Sequence, residues 1–154
     1  MKTITCPDSM GIPSSWKNCM IFLGGGITNC PDWQQDMISL LSSNDDGLVL
    51  FNPRRSQFDV SDASQSDFQI QWEYEHLHQA DAIIFWFPKE TLCPITLYEL
   101  GAAATRGDRL FVGCHPDYQR KFDVIKQLSL VRPDIVVRTS IEEIATDVTN
   151  WYRN

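Results

Sequence analysis

Short apolar runs alternate along the chain with longer segments whose apolar residues recur at helical spacing. CMIFL (19–23), GLVLFNP (47–53), DAIIFWF (81–87), RLFVGC (109–114) and DIVVRT (134–139) predict five strands. Between and after them, PDWQQDMISLLSS (31–43), FQIQWEYEHLHQA (68–80), ITLYELGAAATRG (95–107), DYQRKFDVIKQLSLV (117–131) and SIEEIATDVTNWYR (140–153) predict five helices. The first shows its period at Trp33, Met37, Leu40 and Leu41, with Pro31 suited to its first turn. The second places Ile70, Trp72 or Glu73, and Leu77 along one side. Ser140 and Glu143 have the spacing of a capping box, which opens the last. The run at 81–87 is apolar at nearly every position, so it predicts a central strand covered on both faces.

Strands separated by helices imply a doubly wound α/β fold, a parallel sheet with helices on both faces. Such sheets bind ligands beyond the carboxyl ends of their strands, where the strand order reverses. Residues 1–17 carry Pro7, Gly11, Pro13 and several serines, and read as an irregular arm or edge hairpin before one domain over 18–154. The polar stretch 54–67 is long for a connection, which points to a functional or mobile loop.

Composition narrows the classes. Hydrophobic residues make up 43% and charged residues 21%, the balance of a soluble globular chain. A net charge of −7 argues against a nucleic-acid polymer as partner, since such proteins need a basic face, but leaves a single nucleoside open. No run approaches the roughly 18 apolar residues of a membrane span, and the N-terminus lacks the apolar core of a signal peptide. Five cysteines, an odd number without a CxxC pair, suit reduced thiols in the cytoplasm better than disulfides or zinc. His76 and His78 are two apart and point to different sides of a helix, so no metal site is expected.

Candidate chemistry lies just past strand ends. Gly24, Gly25 and Gly26 follow the first strand, either as a tight turn or as backbone approaching a ligand. They fit neither a dinucleotide fingerprint nor a phosphate-binding P-loop. NPRR (52–55) follows the second strand, and Arg54 or Arg55 suits a phosphate, a carboxylate or an interface. Glu99 falls in the first turn of the third predicted helix, where it is either the partner of Thr96 in a capping box or a working carboxylate. At a helix N-terminus it would stay ionised, as a nucleophile must. Glu73 lies on the preceding helix, a place where a glutamate is ordinarily solvated.

Together these segments resemble the nucleoside 2-deoxyribosyltransferase family, in its shorter and divergent branch. The resemblance runs from Asn18 to Asp147 and is carried by IFLGGGITNCPDWQ, LFNPRR, QWEYEHLHQADAIIFWFPKETLCPITLYELG and GCHPDYQRKFDV. It implies a flavodoxin-like sheet of about five parallel strands, and oligomers in which neighbouring subunits complete each other's sites. The family's nucleophilic glutamate falls on Glu99. Its second carboxylate, which handles the proton of the departing base, falls on Glu73, with a longer reach than the aspartate common there. Phe22 stands where typical members have a tyrosine that holds the nucleophile, and Cys93 replaces a further aspartate. Asp123 and Ile125 stand where typical members have an asparagine and a hydrophobic residue near the base.

The resemblance implies exchange of nucleobases on 2-deoxyribose through a covalent glycosyl-glutamate, with no metal or organic cofactor. Nucleosides and nucleobases are then the partners. Gly24, Gly25 and Asp32 would line the sugar and base pocket, and Asn52 and Arg54 would bound it. Trp33 is a stacking platform for the base or a core residue. Two rivals share the fold: an N-glycoside hydrolase of nucleosides or their 5′-monophosphates, and a nucleotide sensor without turnover.

Overall fold

The computed structural model describes residues 1–8, 19–43, 47–55 and 63–153. Within them lie six strands: β1 (Lys2–Thr5), β2 (Cys19–Gly25), β3 (Leu48–Asn52), β4 (Ala82–Phe87), β5 (Leu110–Cys114) and β6 (Val137–Arg138). Five helices connect or follow them: α1 (Trp33–Leu41), α2 (Ala63–Gln79), α3 (Pro94–Arg106), α4 (Lys121–Val131) and α5 (Ile141–Arg153). All neighbouring strands pair in parallel, in the order β1-β3-β2-β4-β5-β6. Apart from β1 at the edge, this is the flavodoxin-like order.

The unbroken apolar run of β4 is two alternating sets. Ile83, Phe85 and Phe87 enter one core, while Ala82, Ile84 and Trp86 enter the other. Strands β2 and β3 divide likewise, with Phe22, Val49 and Phe51 on the first face and Ile21, Leu23, Leu48 and Leu50 on the second. Trp72 and Leu77 of α2, Leu100 and Ala103 of α3, and Val124 and Leu128 of α4 cover the first face. Trp33, Met37 and Leu41 of α1, with Ile144 and Val148 of α5, cover the second.

Several expectations change. Residues 2–5, read as part of an irregular arm, form an edge strand whose Thr3 and Ile4 pair with Leu50 and Phe51. Residues 9–17 of that arm, and 56–62 of the long polar connection, lie outside the described residues. Helix α2 starts at Ala63, ahead of the expected 68, and buries Trp72, His76 and Leu77 while Ile70 faces out. The stacked rings of Trp72 and His76, with centroids 3.9 Å apart, make that histidine a core residue. Asp32 rather than a first-turn Pro31 opens α1. The Ser140–Glu143 capping box forms in both directions, at 3.2 Å each way.

The chain leaves β2 toward β3 on one side and β4 toward β5 on the other. The carboxyl ends of β2 and β4 therefore flank the switch point, and a crevice opens there.

Candidate active site

A cleft of about 310 Å³ occupies this crevice. Strand β2 contributes Phe22, Gly24 and Gly25, helix α2 contributes Gln69 and Glu73, and α3 contributes Thr96 and Glu99. Cys93 and Arg55 complete its walls from the preceding loops.

The glycines answer to packing. A side chain at Gly24 would begin 2.8 Å from the Phe85 ring, and one at Gly25 would begin 2.5 Å from both the Trp33 ring and the Trp86 carbonyl. The strand end can thus press against both cores while its backbone lines the cleft. Just beyond, the Gly26 carbonyl accepts from Trp33 Nε1 at 2.9 Å, Gln34 Nε2 at 3.3 Å and Arg54 at 3.4 Å.

Glu99 stands deeper in its helix than the sequence suggested. Helix α3 opens at Pro94 behind Cys93, which takes the left-handed conformation (φ 49°) and makes no side-chain cap. Glu99 is therefore in the second turn, Thr96 is buried, and the two form no capping box. Among the described residues, no side chain donates a hydrogen bond to Glu99. Buried Phe22, on the cleft wall, has no hydroxyl to supply one. Instead of being kept ionised by a helix end, the Glu99 carboxyl is pushed up to about 8, first by burial and then by the negative charge of Glu73. Burial also raises Glu73, against the lowering effect of a hydrogen bond from Gln69.

The expected site residues fall into two groups. Glu99, Glu73, Gly24 and Gly25 meet in the cleft. Asp32, Trp33, Asn52, Arg54 and Asp123 do not line it. Trp33 is buried in the opposite core. Asp32 caps α1 by accepting from the Gln35 N–H at 3.1 Å and pairs with Arg54 at 3.2 Å. Arg54 is a clamp, bonding buried Gln34 at 2.9 Å and the Pro31 carbonyl at 2.9 Å. Asn52 accepts from the Arg54 backbone N–H at 3.0 Å. Asp123 lies on α4 and pairs with Arg120 at 3.3 Å.

The cleft also takes Arg55, which the sequence offered as the alternative to Arg54, and Gln69, which it did not single out. Arg55, not Arg54, reaches it, because adjacent residues leaving a strand point to opposite sides. Gln69 precedes Glu73 by one helical turn, a spacing visible in the sequence. Among the described residues, no three His, Cys, Asp or Glu side chains form a metal-binding group, and no helix is long and apolar enough to cross a membrane.

The fold and this cleft define a flavodoxin-like α/β protein carrying a carboxylate pair at its switch point. The chain belongs to the nucleoside 2-deoxyribosyltransferase-like family, whose model matches residues 18–118, and this membership supports a general role in nucleoside processing. Its fold is similar to the crystal structure of a conserved protein from Enterococcus faecalis V583. That match has a TM-score of 0.60 and 14% identity, and covers 86% of this chain and 98% of the other. No curated protein matches the chain.

Proposed function

We propose that the protein transfers 2-deoxyribose between nucleobases through a covalent intermediate on Glu99. The observation that carries this reading is the placement of Glu73 and Glu99 in one cleft at the switch point. Glu99 attacks C1′ of a 2′-deoxynucleoside through a transition state resembling an oxocarbenium ion, as in retaining glycosidases. The base departs with a proton from Glu73. A second base then returns that proton and takes the sugar, so kinetics are ping-pong and the configuration is retained.

The raised carboxyls suit this sequence if the pair carries one proton near neutrality. Before substrate binds, Glu99, the group pushed up to about 8, favours that proton. Positive charge developing at C1′ favours an ionised Glu99. A base nitrogen beside Glu73 favours the proton there. Substrate thus selects the reactive arrangement without changing the proton count.

A homo-oligomer is part of the proposal. Ile95, at the cleft mouth, is 65% exposed, and Tyr98 and Phe122 on α3 and α4 are 77% exposed each. Apolar side chains so placed suit cover by a second copy. All five cysteines are thiols, which suits the cytoplasm.

The test is incubation with deoxyinosine or thymidine, with and without adenine, using Glu99→Ala as control. New deoxyadenosine that depends on Glu99 supports transfer. Free base alone would make the protein an N-glycoside hydrolase. No turnover across deoxynucleosides and their monophosphates would leave a nucleotide sensor.

A further inference from the structure

Behind Glu73 lies a short hydrogen-bonded chain that reaches the edge strand. The Cys6 thiol donates to Gln69 Oε1 at 3.1 Å. Gln69 Nε2 donates to the Pro53 carbonyl at 2.9 Å and to Glu73 Oε1 at 2.7 Å. The orientation of the Gln69 amide follows from these partners. A carbonyl can only accept, so the nitrogen must face Pro53. Burial raises the Cys6 thiol to about 11, so it stays protonated and donates to the amide oxygen. Cys6 is itself held by its backbone N–H, which donates to the Asn52 carbonyl at 3.0 Å beside the end of β3.

We propose that Gln69, locked by Cys6, is a positioning residue that pins Glu73 Oε1 and leaves Oε2 as the oxygen that carries a proton to the departing base. The carbonyl-type oxygen of a protonated carboxyl is the better acceptor, so the N–H bond to Oε1 favours the proton on Oε2. When the bond between C1′ and the base breaks, its electron pair goes to the base, the Oε2 proton moves to a base nitrogen, and Glu99 forms the new bond to C1′. The incoming base returns the proton to Oε2 in the second half. The edge strand β1 thus serves the site: it carries Cys6 to the back of α2.

This inference rests on the transfer reading, and the experiment separates the two. Gln69→Leu, Cys6→Val and Cys6→Ser are compared with wild type on deoxyinosine and on 7-methyl-2′-deoxyguanosine. The second base leaves without needing a proton. Gln69→Leu should lose about 10- to 100-fold in kcat on deoxyinosine, with KM little changed, and under about threefold on the methylated substrate. Cys6→Val should show a smaller loss with the same preference, and Cys6→Ser, which keeps a donor, should restore wild-type behaviour. Equal losses on both substrates, or none on either, would overturn the proposal.

If wild type turns over neither substrate, the transfer reading fails, and the inference is judged by the Glu73 titration, followed by carbon-13 NMR of labelled glutamate. Among the described residues, the charged and titratable groups around Glu73 are Glu99 from α3, Arg55 after β3 and Cys6 after β1. Loss of the Gln69 N–H should raise the Glu73 midpoint by about one unit in Gln69→Leu. An unchanged midpoint would sink the pinning.

Discussion

Glu73 and Glu99 reach one cleft from successive helices, and the charge of Glu73 adds to burial in holding the Glu99 carboxyl up to about 8. Glu73→Gln removes the like charge and leaves the burial. The Glu99 midpoint should then fall by about one unit yet stay above the ordinary carboxylate range. Carbon-13 NMR titration of the Glu99 carboxyl reads this directly; an unmoved midpoint would mean that the two groups are not coupled.

The raised Glu99 also costs stability. Unfolded Glu99 ionises near 4.5, and the folded group near 8. Between those values the unfolded chain gives up its proton first, so stability falls as pH rises through that window and stays lowered above it. Glu99→Gln should match wild type near pH 4.5 and exceed it at pH 8.5 by about 1–3 kcal/mol, allowing for solvent in the open cleft. Denaturant unfolding at the two pH values checks this. A gain of the same size at both would point to packing instead.

Phe22→Tyr places a hydroxyl on a ring that lines the cleft holding Glu99. A donor to the carboxylate favours its ionised form. The Glu99 midpoint should drop, and a transferase should run about tenfold faster at pH 7. Initial rates between pH 6 and 9 give the answer, and a slower enzyme throughout would show that the ring is needed as it is.

Arg54 is expected to matter for folding more than for substrate. Arg54→Met strips the partner from the Gln34 carbonyl, whose residue is wholly buried, and frees the Pro31 carbonyl. A buried acceptor left unpaired costs about 1–3 kcal/mol. Thermal unfolding should show that loss. Substrate affinity of the protein that remains folded should change little.

Tyr98→Glu combined with Phe122→Glu puts charge on two exposed apolar positions. Sedimentation should show wild type as an oligomer and the double variant as a smaller species at equal concentration. Wild type sedimenting as a monomer would remove the oligomer from the proposal.

Much of the fold was legible because strands buried on both faces need long apolar runs. AIIFWF could be little else than a central strand, and Ser140 with Glu143 marked the start of α5 by local chemistry alone. Edges were harder to read. KTIT is too short and too polar to announce a strand, and it becomes one because β3 offers an open edge with matching register. Ile70 has the spacing of a core residue on α2, yet the helix turns Trp72 and His76 inward instead.

The amino-acid sequence by itself determined the alternation of strands and helices, and with it a crevice at the carboxyl ends and Glu99 just past a strand; Glu73 joined it only through the family resemblance. The alternation follows from local periodicity, which needs no knowledge of distant contacts, whereas the strand order is tertiary. Tertiary structure decided what those carboxylates experience. Proton affinity depends on burial and on neighbours that are far apart in the chain, such as Glu73 beside Glu99 and Cys6 behind Gln69. It also decided which of two adjacent arginines lines the cleft and which becomes a clamp, since a side chain's direction at a strand end is set by what packs on either side of the sheet.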